Sequence, residues 1–274
     1  TTPDAAKGMA VGYLPGLQPM PAYGIKPSDL PQGGWYATAE DAAVFMLAHL
    51  NGGSYRGARI LQPETEQLMQ TFQVFIQPDV PVMAYGFEAS MYPQYDRGHR
   101  VLAKGGDIFG FSSYMWLLPE HKIGVFVSVN ANNGAVREEL YRDFMLAFLP
   151  DVGVEKQPLQ TSAQELEKFA GTFKDLRLES WKSQIEVAGD GKLKMEDALL
   201  GTVELTQVGP MTFADPAGGE LVFKADGQGV PTYFKYKNVG YSVRTEERKY
   251  PDVADDSPYA KAIYTLQDFN LFKE

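Results

Sequence analysis

Residues 104–129 read KGGDIFGFSSYMWLLPEHKIGVFVSV, and the sheet that organises the chain is legible in them. Two runs, Phe111–Leu118 and Ile123–Val129, are rich in aromatic and β-branched residues, and only Pro119-Glu-His-Lys122 separates them. A connection of that length suits a hairpin, so the two runs are predicted to pair antiparallel. Strand alternation places Ser112, Tyr114 and Trp116 on one face, where packing explains them better than catalysis. A third run, residues 99–104, is predicted to be a strand ended by Lys104, with Gly105 and Gly106 opening a turn.

Outward from this core the pattern becomes helical. Residues 1–37 are rich in Pro and Gly and read mostly as ordered loop, with one apolar run, 9–14, as a candidate strand. Thr38-Ala-Glu-Asp41 approximates a capping box, and Ala42, Phe45, Met46 and Leu50 recur at helical spacing until Asn51-Gly52-Gly53 stops them. A second short helix has Pro63 in its first turn and is expected to carry Leu68, Met69 and Phe72 on one side. After residues 130–134, Val136, Leu140, Phe144 and Phe148 fall in register on a helix that ends at Pro150.

The rhythm changes beyond a linker at residues 151–161. Ser162, with Glu165 three residues on, caps one helix. Short alternating runs follow at 184–188, 192–195, 202–207, 220–224, 232–236 and 240–245, with turns at 189–191, 215–219 and 226–229. Many short strands joined by tight turns indicate a small antiparallel β-barrel or sandwich. The expected fold class is α+β: an antiparallel sheet with helices over residues 1–150, the linker, a small barrel over 162–247, and a tail over 248–274. In the tail, Asp252, Asp255 and Asp256 lack the spacing of a calcium loop and read as solvated connection.

Composition narrows the chemistry. The 274 residues carry 25 basic and 35 acidic side chains, a net charge of -10 spread over both halves, which repels phosphate backbones, so no nucleic-acid partner is expected. With 44% hydrophobic residues a real core is available. The absence of cysteine removes thiolate nucleophiles and cysteine metal sites. His49, His99 and His121 lie far apart in sequence and form no ligand pair; each reads as a surface or half-buried histidine, and no metal or cofactor is expected. No apolar stretch approaches the ~20 residues needed to span a bilayer. No signal peptide is legible in the sequence, and a chain that starts at Thr1 without Met is expected to be processed, truncated or excised.

The remaining feature is Lys104-Gly105-Gly106-Asp107. Glycines beside a strand end let a substrate or another backbone come close, and a lysine there adds fixed positive potential. Asp107 and Glu120 do not make a carboxylate pair, because a hairpin separates them. A free amine at Thr1 could serve an N-terminal nucleophile, but Pro3 and the loop-like start weigh against it.

In order and spacing, several short peptides together resemble the C-terminal half of the serine β-lactamase-like family, which holds class C β-lactamases, related esterases and D-Ala-D-Ala peptidases. They are Gly34-Trp-Tyr-Ala-Thr38-Ala-Glu-Asp41, Asn51-Gly-Gly53, Leu61-Gln-Pro63-Glu-Thr65, Tyr85-Gly86-Phe87, Lys104-Gly-Gly106, Gly110-Phe-Ser-Ser113-Tyr and Leu118-Pro-Glu-His-Lys-Ile-Gly124. Residues 162–247 are similar to the lipocalin-like barrel often appended to such hydrolases. The resemblance implies hydrolysis of an ester or amide through a serine acyl-enzyme. Lys104 then matches the lysine of K-x-G, and the backbone N–H of Asp107 matches the oxyanion donor. Gly105 and Gly106 would line the substrate, and Asn130 and Asn133 would stand at the mouth of the pocket. Members of the family are mostly exported, so export is expected.

The departures from the family pattern are equally specific. No serine is followed three positions later by lysine, and the one Y-x-N, Tyr236-Lys-Asn238, lies inside the expected barrel. Gly105 replaces the usual hydroxyl residue, which turns the expectation from β-lactams towards esters or other small amides. The chain is therefore expected to hold one wall of a site and to be inactive alone. Its partner would be an upstream half of the same protein or a second copy, with a small ester, amide or peptide as substrate. The alternative is a non-catalytic binding module built on an incomplete hydrolase domain plus barrel.

Overall fold

The computed structural model describes residues 8–20, 33–108, 110–131, 133–175, 182–198, 200–236 and 239–244. The readings made on Thr1 and on the tail lie outside them. The first elements form a hairpin, β1 (Tyr13–Leu14) with β2 (Gln18–Pro19). It is shorter than the expected strand over 9–14. Pairing of that run begins at Tyr13, whose N–H donates to the Asn130 carbonyl at 2.9 Å.

Helix α1 (Ala39–Leu50) starts at the expected capping box: Thr38 Oγ1 accepts from the Asp41 N–H, and the Asp41 carboxylate accepts from the Thr38 N–H. A small hairpin, β3 (Ser54–Tyr55) and β4 (Ala58–Arg59), leads to α2 (Pro63–Met69). Gly53, at φ 82°, permits this turn, since a Cβ there would stand 2.3 Å from the Leu61 carbonyl oxygen. Met69 and Phe72 pack inward as expected, but Leu68 is exposed.

Six antiparallel strands then pair in sequence order: β5 (Val74–Gln77), β6 (Val80–Met83), β7 (Glu88–Ala89), β8 (Leu102–Ile108), β9 (Phe111–Leu118) and β10 (Ile123–Val129). The β9–β10 hairpin has the expected bounds, and its register runs from Ile123 opposite Leu118 to Val129 opposite Ser112. Alternation sorts the sheet's side chains into two cores. Leu102 and Leu117 join Met46 and Leu50 of α1 on one face. Ala103, Tyr114 and Trp116 join Tyr141 and Met145 of helix α3 (Gly134–Phe148) on the other.

That helix packs on a stripe that only partly matches the one expected. Arg137, Tyr141 and Met145 are buried, whereas Leu140 is 46% and Phe148 69% exposed. An arginine and a tyrosine with internal partners make the inner face look polar in sequence. Of the expected stripe, Phe144 packs against Trp116 and Val136 is half-buried, so only Leu140 and Phe148 stay open.

After residues 151–161, which form no helix or strand, α4 (Ala163–Leu166) is capped by Ser162 and Glu165 as expected and runs on into a single 3-10 turn. Eight antiparallel strands follow: β11 (Gly171–Asp175), β12 (Lys182–Gly189), β13 (Lys192–Asp197), β14 (Gly201–Gly209), β15 (Thr212–Ala214), β16 (Glu220–Ala225), β17 (Pro231–Tyr236) and β18 (Val239–Arg244). Pairing of β11 with β18 closes the barrel. β11 and the three-residue β15 carry too few alternating positions to be read from sequence.

Phe169, Phe173, Phe213, Phe223 and Phe234 fill the barrel interior and are fully buried. At roughly 2 kcal/mol per buried aromatic side chain, they outweigh surface ion pairs such as Lys156–Glu220, at about 1 kcal/mol or less. The barrel's outer face meets the sheet where Val222 packs against Ile76 and Val82, and Gln77 Nε2 donates to the Phe223 carbonyl.

Candidate active site

Lys104, Gly105, Gly106 and Asp107 are not a strand end and turn. All four lie inside β8, opposite Met115, Tyr114, Ser113 and Ser112 of β9. The turn comes three residues after Asp107, at Gly110 (φ 77°). The glycines stay extended because the β9 ladder holds them, and at Gly105 packing leaves no room for a side chain. A Cβ there would lie 2.6 Å from Met91 Sδ, whereas none would touch anything at Gly106. β7 pairs with β8 only at Leu102 and Ala103. Among the described residues, the stretch from Lys104 to Asp107 has no strand on its β7 side, so the edge there is open to an extended ligand.

Alternation places Lys104 and Gly106 on the α1 side of the sheet and Gly105 and Asp107 on the α3 side. Lys104 Nζ donates to Glu88 Oε1 of β7 at 2.5 Å. The Lys104 side chain is 51% exposed, so the pair is worth at most about 1 kcal/mol and the ammonium is easily given up to another anion.

Asp107 is held more firmly. Arg137 Nη1 reaches both of its carboxylate oxygens at 3.1 Å and the Ser113 carbonyl at 3.0 Å, while Arg137 Nε donates to the Tyr92 hydroxyl at 3.2 Å. Ser112, opposite Asp107, is buried and its Oγ accepts from the Asn133 N–H at 3.2 Å. Asn133 caps α3 through its own side chain, which accepts from the Val136 N–H. Asn130 Nδ2 donates to the Val11 carbonyl at 2.9 Å, fastening the β1 hairpin to the end of β10. The fold thus gathers Asp107, Asn130 and Asn133 at one end of the sheet. Lys104 lies three residues back along β8, on the order of 10 Å away.

Other readings resolve against chemistry. Tyr114 and Trp116 are core residues, and Tyr236 is buried in the barrel, its hydroxyl donating to Asp215 Oδ2 at 2.6 Å. Asp107 and Glu120 are apart, Glu120 being paired with Arg100. His49 is fully buried against Glu66, not half-exposed, and His121 Nε2 meets His99 Nδ1 at 3.1 Å despite their separation in sequence. Two residues went unnoticed in sequence. Arg137 was detectable, because Tyr141 and Met145 follow it at four-residue steps; Glu88 carried no signal.

On the α3 side of the sheet, polar groups are enclosed in an aromatic cluster with Tyr92, Tyr114 and Tyr141. The Tyr141 hydroxyl donates to Asp96 Oδ1, and Ser90 Oγ donates to the Tyr141 hydroxyl at 3.2 Å. Loss of water pushes the Asp96 carboxyl up to about 7, opposed by hydrogen bonds from Tyr141 and Ser90. Burial, together with the Asp96 charge, raises the Tyr141 phenol well above the ordinary range.

Residues 2–148 match the model of the Beta-lactamase family. A human protein described as beta-lactamase-like 1 is 26% identical over 199 residues, which cover 70% of this chain and 38% of that protein. An octameric penicillin-binding protein homologue from Pyrococcus abyssi is similar over 89% of this chain and 55% of its own, at 19% identity and a TM-score of 0.43. SurE, in a structure with D-Leu, is similar over 67% of this chain and 44% of its own, at 14% identity and a TM-score of 0.44. The chain spans well under half of the human relative and about half of the two solved structures.

Proposed function

Since the chain belongs to the Beta-lactamase family, we propose that it supplies one wall of a serine acyl-transfer site acting on an ester or small amide. The observation that carries this reading is the open edge of β8 from Lys104 to Asp107. An extended substrate laid along that edge meets backbone donors at strand spacing. The N–H of Asp107 takes the charge that develops on the carbonyl oxygen as a hydroxyl adds to its carbon. Gly105 and Gly106 allow the close approach, and the Lys104 ammonium, released from Glu88, neutralises an anionic group of the substrate. Asn130 and Asn133 stand at the mouth of the site.

The attacking serine and its base come from polypeptide other than these 274 residues, which contain no Ser-x-x-Lys. The exposed Leu140 and Phe148 of α3 are where that polypeptide, an upstream segment or a second copy, would seat. The barrel holds no ligand in its interior on this reading, since its own phenylalanines occupy the space.

The test is turnover of a p-nitrophenyl ester by the full-length gene product, with Lys104→Ala as control. Turnover that falls at least tenfold in the variant at unchanged melting temperature supports the assignment. Absence of turnover in the parent protein favours a binding module.

A further inference from the structure

At the end of β9 away from Asp107, the proposed site leaves a pair of histidines unused. His99 precedes β8, and His121 closes the 3-10 turn Pro119–His121 between β9 and β10. Because β8 pairs with β9 from Leu102 opposite Leu117 onwards, that turn comes back beside the residues leading into β8. The 22 positions between the two histidines, which argue against a ligand pair in sequence, are cancelled by this sheet order. His121 Nε2 stands 3.1 Å from His99 Nδ1, and the rings cross edge to face with centroids 4.8 Å apart.

A third partner fixes the proton on His99. Its Nε2 lies 2.9 Å from the Pro150 carbonyl, which only accepts, so Nε2 carries the proton of the neutral ring and Nδ1 presents a lone pair. A backbone carbonyl on the far nitrogen is also what orients a metal-ligating histidine and raises its basicity. His121 is exposed, and with its one proton on Nδ1 its Nε2 offers a second lone pair. Two imidazole nitrogens, each about 2.1 Å from a tetrahedral zinc ion, stand about 3.4 Å apart. The observed spacing of 3.1 Å is near that of such a chelate, and the exposed His121 ring is free to turn its lone pair onto the ion. The neighbouring cations are engaged elsewhere, Arg100 by Glu120 and the Gln70 carbonyl, Lys122 by the Leu50 carbonyl.

We propose that His99 and His121 form a two-histidine site for a divalent transition-metal cation of the zinc class, with water in the remaining positions. Imidazole selects zinc, nickel or copper over magnesium and calcium, which take oxygen ligands. Among the described residues no group of three histidines or carboxylates surrounds the pair, so the ion is held less tightly than in a closed structural site. Bound there, it pins the β9–β10 turn to the approach to β8 and, through His99, to Pro150 just beyond α3. The inference is independent of the acyl-transfer reading.

Titration of the full 274-residue chain with ZnCl2, followed through the ring-proton NMR signals of its three histidines, tests it. The His99 and His121 rings shift together along one saturation curve, while His49, buried against Glu66, does not move. MgCl2 moves none of the three. His121→Ala, an exposed change in a turn, keeps the His99–Pro150 contact. It weakens zinc binding by at least the roughly tenfold that loss of an outer-shell partner costs. His99→Ala does the same, and His121→Ala decides alone should His99→Ala fail to fold. Zinc that shifts only one of the two rings, a response that does not saturate, an unchanged affinity in His121→Ala, or an equal response to MgCl2 overturns the proposal.

Discussion

Arg137 Nη1 lies 3.1 Å from each carboxylate oxygen of Asp107, so helix α3 grips the strand edge at the residue whose N–H would serve as oxyanion donor. The same nitrogen also binds the Ser113 carbonyl, tying β8 and β9 to the helix at one point. The guanidinium is 5% exposed and Asp107 50%, which leaves the carboxylate able to turn to water if its partner is lost, while the arginine cannot.

Arg137→Met should therefore destabilise the protein by about 2 kcal/mol, mainly through the hydrogen bonds lost by Ser113 and Tyr92. Asp107→Asn should cost about 1 kcal/mol, since the amide oxygen still accepts. Urea denaturation of both variants measures the difference; equal losses would mean that the arginine does no more than neutralise Asp107.

Gly105 and Gly106 should separate stability from function. Gly105→Ala drives a Cβ against Met91 Sδ and should lower the melting temperature, whereas Gly106→Ala meets open space and should leave it unchanged or slightly raised. In the full-length product Gly106→Ala should reduce ester turnover, because its methyl stands on the face that Lys104 shares. Thermal melts and a turnover assay on the pair check both halves.

Asp96 should write its protonation into the stability curve. Its folded value of about 7 stands above the unfolded value near 4, so the folded state holds a proton that the unfolded chain has lost. Stability should fall as pH rises from about 4 to about 7 and level off above that. Asp96→Asn should flatten that descent; denaturation midpoints at half-unit pH steps provide the comparison.

The capping box at Thr38, the hairpin around Pro119 and the barrel turns were legible because each rests on local chemistry within a few residues. Lys104 to Asp107 were misread because paired glycines suggest a turn, while pairing to β9, a long-range contact, keeps them extended. The inner face of α3 was hidden for a related reason: Arg137 and Tyr141 pass for solvent-facing residues until Asp107 and Asp96 supply their partners. The meeting of His99 with His121, and of Lys104 with Glu88, depends on sheet order and leaves no mark in sequence.

The buried pair of His49 and Glu66, 2.8 Å apart, offers a further check on the α1–α2 packing. Glu66 also accepts from Gln70 Nε2 at 2.6 Å. His49→Leu should cost about 3 kcal/mol, since it strands a buried carboxylate, and Glu66→Leu in the same chain should recover much of that loss. Chemical denaturation of the singles and the double variant closes the cycle.

The sharpest measurement is fluorophosphonate labelling of the full-length gene product followed by peptide mapping. The label is expected on a serine outside these 274 residues, with labelling slowed by Lys104→Ala, while this chain alone takes up none. A label on any serine within the chain, or a parent protein that never reacts, would contradict the assignment of β8 as one wall of a serine acyl-transfer site.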